Sequence, residues 1–201
     1  MGRRQSGRDV PGQLPGRAAL SGALLLLAAC TAPVGPIEPD AAPAEVEPVY
    51  VVDLSAFEEL PDAEDPFSAS VPGHLPGAPP AYVVEQDPTG FSTLEIRTDV
   101  CNYLTLQQPS RARIERGDEL QILMWHNTLA TQESARAYAA IQICGHEAWS
   151  VEVPIPSPAH SYAATWRAPR TLPAGCPILL HIHNHGANTW RFGELVIDRR
   201  L

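Results

Sequence analysis

The most restrictive feature of this 201-residue chain is a series of short runs, between residues 93 and 197, in which apolar and polar side chains alternate. In the run Glu119–His126, the side chains of Leu120, Ile122 and Met124 fall on one side of an extended backbone. A period of two is typical of a half-buried strand. Seven other runs have this character, at residues 93–98, 103–107, 137–144, 149–154, 163–167, 178–184 and 190–197.

Turn-forming residues separate these runs, at 116–118, 144–145, 154–158, 173–175 and 185–188. Glycine, proline and asparagine end strands there because they favour tight backbone turns. Eight or nine short strands at this spacing predict an all-β fold, an antiparallel β-sandwich of the jelly-roll type. Residues 135–140, which are rich in alanine, would also suit a turn of helix.

Charge divides the chain into two unlike parts. Residues 31–95 contain thirteen acidic side chains and no Lys or Arg, whereas residues 96–201 contain ten Arg and nine acidic side chains. The acidic part is also rich in proline and alanine, which disfavours a packed core. We therefore expect a disordered acidic spacer over residues 30–80 and a β-sandwich domain over residues 81–201. Such an acidic chain is a poor partner for nucleic acid.

One stretch within that spacer is apolar. Residues 49–52 read Val-Tyr-Val-Val, and Leu54 and Phe57 follow. This composition suits a short strand or a docking patch. We expect it to pack on the folded domain or on a partner, and a solvent-exposed segment is the alternative.

The N-terminal residues 1–29 are predicted to be a signal peptide. Four arginines precede an apolar run over residues 18–29, which ends with Ala28-Ala29 before Cys30. The run is too short to span a bilayer, which takes about 20 apolar residues. Cleavage as an ordinary signal peptide would leave Cys30 unmodified.

The four residues Leu27-Ala28-Ala29-Cys30 resemble the lipobox of bacterial lipoproteins. The resemblance implies export, cleavage before Cys30, and acyl chains such as palmitate on its sulfur and new amino terminus. These chains would anchor the protein to a membrane. Thr31, which is neither acidic nor basic, points by the same resemblance to the outer membrane.

Three cysteines remain beyond Cys30. Cys144 and Cys176 both fall at strand edges beside turns, so a disulfide between them would staple two loops. Cys101 lies between two apolar runs, where a free thiol behaves as a small buried hydrophobe. The chain contains no CxxC motif, which argues against a redox motif or a structural zinc site.

His181, His183 and His185 share one side of a predicted strand, while Leu180 and Ile182 face the core. A strand HxH pair can bind Zn or Cu, with His126 or His185 as a further ligand. Gly175 followed by His181 and His183 resembles the opening of the cupin motif, but Ala187 and Asn188 stand where the cupin glutamate belongs. We therefore expect these histidines to line a polar face of the sheet, with His185 helping to shape a hairpin turn, and we expect no cofactor. A copper- or zinc-binding envelope lipoprotein is the alternative function.

The chain has four tryptophans, Trp125, Trp149, Trp166 and Trp190. Most tryptophans in a sandwich lie in the core, and we expect this for three of the four. One or two beside Asn188 and Arg191 would form a platform on which a sugar ring could stack. The candidate ligand-binding residues are therefore Trp190, Asn188 and Arg191.

Signals of catalysis are sparse. The chain contains no lysine, which excludes Schiff-base chemistry and a P-loop, and it contains no GxSxG motif. His146-Glu147 begins like a zinc-protease helix, but the second histidine is missing. We expect a non-catalytic protein, although a hydrolase with dispersed carboxylates would carry the same pattern.

Two segments, residues 101–105 and 180–190, look like segments that recur in an uncharacterised family of exported bacterial proteins. The resemblance spans residues 93–197, and it implies a shared β-sandwich without implying an activity. The architecture is also loosely similar to galactose-binding-like modules, which implies binding of carbohydrate or another surface ligand. The expected function is a lipid-anchored cell-envelope protein that displays a non-catalytic interaction module for a glycan or an envelope protein.

Overall fold

The computed structural model describes residues 46–67 and 81–200. Eleven strands and one short 3-10 helix, Leu54–Ala56, are assigned in these residues. The strands are β1 (Val46–Tyr50), β2 (Glu58–Glu59), β3 (Tyr82–Gln86), β4 (Ser92–Arg97), β5 (Tyr103–Pro109), β6 (Glu119–His126), β7 (Ala135–Ile143), β8 (His146–Ile155), β9 (His160–Arg167), β10 (Pro177–Asn184) and β11 (Thr189–Arg200).

The strands form two antiparallel sheets. The six-stranded sheet has the order β3-β4-β11-β6-β9, with β1 paired to the C-terminal part of β11, and the five-stranded sheet has the order β2-β5-β10-β7-β8. The hairpin β7-β8 is enclosed by the pairs β6-β9, β5-β10 and β4-β11, and successive pairs alternate between the sheets. This nested order is that of a jelly roll, so the predicted fold class is confirmed.

All eight predicted strands are present, and residues 135–140 lie in β7 rather than in a helix. The alternation in β6 correctly predicts which of its side chains face the core. Leu120, Ile122 and Met124 are buried between the sheets. Trp190 and Phe192 on β11 are the largest fully buried side chains. The amide nitrogen of Asn184, which is also buried, donates to Thr98 Oγ1 at 2.8 Å.

Composition assigns residues 46–67 to the spacer, but the structure places them in both sheets. Strand β1 pairs with β11, with Tyr50 opposite Val196, and β2 pairs with β5. Val51 is fully buried, and Phe57 packs edge-on against Phe192 at 6.0 Å between ring centroids. The physical reason is that β11 extends beyond β4, and the apolar stretch covers the backbone groups of this extension.

Cys144 and Cys176 form a disulfide that joins the end of β7 to the residue before β10, with Cα atoms 5.3 Å apart. The two cysteines are separated by 32 positions in sequence, so the bridge closes a loop of about this length. In the chain-entropy description, a loop of this length stabilises the fold by about 4 kcal/mol. Cys101 is free and buried, and its burial raises the pKa of the thiol to about 11.

The predicted signal peptide, Cys30 and residues 68–80 lie outside the described residues. None of the helical structure within residues 46–67 and 81–200 is long and apolar enough to cross a bilayer.

Candidate ligand-binding site

The predicted metal ligands occupy different environments. His181 lies on the outer face of the five-stranded sheet but is only 2% exposed, because the ring of Phe67 stacks on it at 4.1 Å. The Thr105 hydroxyl donates to Asp65 at 2.7 Å and also lies 2.8 Å from His181 Nδ1. Since a hydroxyl has one hydrogen to donate, Nδ1 must be the donor to Thr105. His181 is therefore a hydrogen-bonded sheet residue beneath residues 60–67.

The other three histidines do not join His181 at a common point. The Nε2 atoms of His183 and His185 are 2.7 Å apart. His126 lies on β6 of the other sheet, where its ring faces the core, bonded to Asn127 O at 2.8 Å and to Tyr162 Oη at 3.1 Å. Burial is the largest cause of the lowered pKa of His126. Within the described parts of the chain, no group of three or more His, Cys, Asp or Glu could hold a metal ion. The metal-binding alternative is therefore unsupported.

The structure corrects the role expected for Trp190. Its side chain is 0% exposed and packs parallel to the ring of Tyr162, with centroids 6.1 Å apart, so no ligand can reach it. Asn188 shapes the turn before β11, because its amide nitrogen donates to Thr128 O at 2.6 Å and its amide oxygen accepts from the Thr189 N–H at 2.9 Å. Neither residue forms a stacking platform.

Trp149 and Trp166 are half-buried and pack against the core, and Trp190 lies within the core. Trp125 differs, since it lies on the outer face of the six-stranded sheet, on the same side of β6 as Gln121. It stands directly opposite Arg191 of β11. The structure thus places Arg191 beside a tryptophan, but this tryptophan is Trp125 rather than Trp190.

Trp125 lies against the backbone of β11 where that strand bulges, between Phe192 and Glu194. A Cβ atom built on Gly193 would be 2.9 Å from Trp125 Cζ3 and 3.2 Å from Phe91 Cζ. These distances are too short for ordinary contacts, so only glycine lets the two rings lie this close to the strand. Trp125 and Phe91 form an aromatic patch over Gly193.

Charged groups border this patch. Arg191 Nη2 lies 3.4 Å from a Glu85 carboxylate oxygen and forms a closer ion pair with Glu95. The Arg191 side chain is 28% exposed and that of Glu95 11%. A guanidinium carries five N–H donors in a fixed plane, and both ion pairs of Arg191 are made through Nη2. Arg191 is thus paired with two carboxylates while its side chain remains partly exposed.

The β3-β4 hairpin holds Phe91 in place. Asp87 Oδ1 accepts from the Thr89 N–H at 2.8 Å, the Thr89 hydroxyl at 2.6 Å and the Phe91 N–H at 3.1 Å. The hydrogen bond from the Thr89 side chain is the main reason that the pKa of Asp87 lies below its usual value. Gly90 supplies the positive φ of 90° that the turn requires.

A cleft of about 290 Å³ lies beside the aromatic patch, lined by residues that include Glu85, Asp87, Phe91, Trp125 and Arg191. Sequence reasoning identified Arg191 but missed the others. The signal for Trp125 was present, because the alternation of β6 places it opposite to Met124 and therefore outward. Nothing local predicts that Phe91 and Gly193 join it.

No protein-family model and no curated protein matches this sequence. Solved structures that are similar include a carbohydrate-binding module described for mannan recognition, with TM-score 0.44 and 8% identity over 80% of this chain and 100% of that chain. Another is a module from Clostridium stercorarium in complex with cellobiose, with TM-score 0.30 and 14% identity over 64% of this chain and 88% of that one.

An arabinose-bound α-L-arabinofuranosidase is also similar, with TM-score 0.39 and 9% identity over 77% of this chain. The present chain spans only about a quarter of that enzyme, the match covering 25% of it. Since all these TM-scores are below 0.5, the assignment of the jelly-roll β-sandwich rests on the strand order of the protein itself.

Proposed function

We propose that this protein is a lipid-anchored, non-catalytic cell-envelope protein whose jelly-roll domain binds glycan through the outer face of its six-stranded sheet. The observation that carries the proposal is the pairing of Trp125 with Arg191 beside a surface cleft. A sugar ring presents a face of C–H groups, which packs against an aromatic ring, and a rim of hydroxyls, which seek directional donors and acceptors.

The polar groups around the patch suit those hydroxyls. Arg191 supplies donors and Glu85 supplies acceptors, and the buried Glu95 holds the Arg191 guanidinium in place before a ligand arrives. Charge-assisted hydrogen bonds are stronger than neutral ones. Groups that are already ordered lose little conformational entropy on binding, which favours affinity.

Binding without catalysis is supported by the arrangement of the carboxylates. A glycosidase needs one carboxyl group that donates a proton and a second that acts as nucleophile or base on the scissile bond. Glu85 and Glu95 instead share the same guanidinium nitrogen of Arg191. This arrangement suits hydroxyl recognition rather than proton donation.

We further propose that Cys30 carries the lipid and that the protein is exported to the outer membrane. The support is the lipobox-like run that ends at Cys30, together with the acidic, proline-rich composition that follows it. A flexible or extended chain of this length would give a lipid-anchored domain reach toward surface glycans.

The test is a glycan array followed by isothermal titration with the purified protein in mild detergent. Trp125→Ala should weaken binding at least tenfold, about 1.4 kcal/mol, and Trp125→Phe should retain most of it. The matched control is Tyr138→Ala, which removes a half-buried aromatic ring from β7 of the other sheet. Absence of glycan binding in the wild-type protein, or unchanged affinity in Trp125→Ala, would contradict the proposal.

A further inference from the structure

A second cleft, of about 450 Å³, lies next to the first. Phe91 lines both clefts, and Gly193, which lies beneath the Trp125 ring, lines the second. The two clefts therefore adjoin at Phe91. We infer that together they form one groove for a linear, neutral oligosaccharide, with at least one sugar unit on each side of Phe91. This inference rests on the proposed glycan binding and extends it to ligand length and charge.

The second cleft repeats the chemistry of the first. Its exposed aromatic side chain is Tyr50, which is 56% exposed, and the apolar side chain of Val84 also lines this cleft. Arg111 Nη1 lies 3.6 Å from Asp53 Oδ2, which parallels the ion pair of Arg191. An aromatic ring beside a guanidinium and a carboxylate is thus present on both sides of Phe91.

The groups of the second cleft are also held in place. Tyr50 ends β1 opposite Val196, and the next residue continues the pairing, because the Val51 N–H donates to Leu195 O at 3.0 Å. Asp53 Oδ1 accepts from the Ser55 N–H at 3.0 Å and from the Ser55 hydroxyl at 2.7 Å. Sites built on paired strands hold their geometry better than sites on free loops.

The balance of charge selects a neutral ligand. Glu85, Asp87 and Arg191 line the first cleft, and Asp53, Glu194 and Arg111 line the second. In each cleft two carboxylates accompany one guanidinium, and Glu95 adds a further negative charge beside Arg191. A uronic acid polymer would meet an excess of negative charge in both clefts, which disfavours its binding.

The experiment is titration of the protein with β-1,4-linked gluco-, manno- and galacto-oligosaccharides of one to six units, with oligogalacturonate as the anionic counterpart. We expect affinity in one neutral series to rise at least tenfold between one and about four units. Tyr50→Ala should remove that gain with length, whereas Trp125→Ala should weaken binding at every length. Val100→Ala, at an exposed apolar residue that lines neither cleft, is the matched control.

Binding that is independent of length, a gain that survives Tyr50→Ala, or tighter binding of oligogalacturonate would overturn the inference while leaving glycan binding intact. Failure of the wild-type protein to bind any sugar, on this panel and on the array, would overturn the proposed function together with the inference. Unchanged thermal unfolding of Tyr50→Ala verifies that its effect is local, as expected for so exposed a side chain.

Discussion

Trp125 on β6 and Arg191 on β11 occupy directly paired positions on the outer face of the six-stranded sheet. Their pairing places a flat apolar ring beside a guanidinium whose carboxylate partners come from β3 and β4. The candidate site is therefore assembled from four adjacent strands of one sheet, β3, β4, β11 and β6. Its geometry depends on strand register rather than on the conformation of a long loop.

Gly193→Ala should displace the Trp125 ring, because the new methyl group would lie 2.9 Å from Trp125 Cζ3. We expect the free energy of unfolding to fall by about 1–3 kcal/mol, as in other overpacked sites, and glycan affinity to fall with it. Urea unfolding and titration measure the two effects. In a Trp125→Ala background the same substitution should cost clearly less, and an equal cost in both backgrounds would refute the contact.

Cys101 should make the fold less stable at alkaline pH. Burial raises the pKa of its thiol from 9.0 to about 11, so the folded state holds the proton more tightly than the unfolded state. The resulting stabilisation is complete below about pH 9 and is lost as the pH rises toward 11, by at most about 3 kcal/mol. Urea unfolding from pH 7 to pH 11 measures this decline, and Cys101→Ala should reduce its slope. An identical slope in that variant would show that the thiol contributes nothing.

His181 and His183 should differ in their contribution to stability. His181→Ala removes the Nδ1 donor to the Thr105 hydroxyl, which keeps its hydrogen bond to Asp65, and leaves Phe67 without its stacked ring, so we expect a loss of about 1–3 kcal/mol. His183→Ala, at a half-buried position, should cost less than about 1 kcal/mol. Added Zn²⁺ or Cu²⁺ should not raise the melting temperature of the wild-type protein. A metal at a hundredfold excess over its dissociation constant would add about 2.7 kcal/mol, and such a gain, abolished by His183→Ala, would revive the metal-binding alternative.

Cys30→Ser should release the protein from the membrane. Acylation requires the cysteine sulfur. Without the Cys30 thiol, the acyl chains whose attachment depends on it are not added. Fractionation of cells should find the wild-type protein in the detergent-extracted membrane fraction and the variant in the soluble fraction. Retention of the variant at the membrane would count against lipid anchoring.

The sequence by itself determined the class of fold and the facing of most side chains. The predicted bounds of β6 are those observed, because a strand buried on one face imposes a period of two that no helix shares. The same rule predicts that Leu180 faces the core and His181 the outer face of the sheet. The prediction that the apolar stretch at residues 49–57 packs on the folded domain is confirmed, whereas composition places residues 46–67 as a whole in the spacer because prolines and carboxylates dominate their average.

Only the tertiary structure decided which residues form the candidate site. The alternation of β6 indicates that Trp125 faces outward, but only the pairing of β6 with β11 places it directly opposite Arg191. Phe91 and Gly193 reach Trp125 only because the jelly roll brings β4, β6 and β11 together. Alternation specifies which face of a strand is buried, but the choice of neighbouring strand depends on long-range packing of the whole sandwich, which no local pattern encodes.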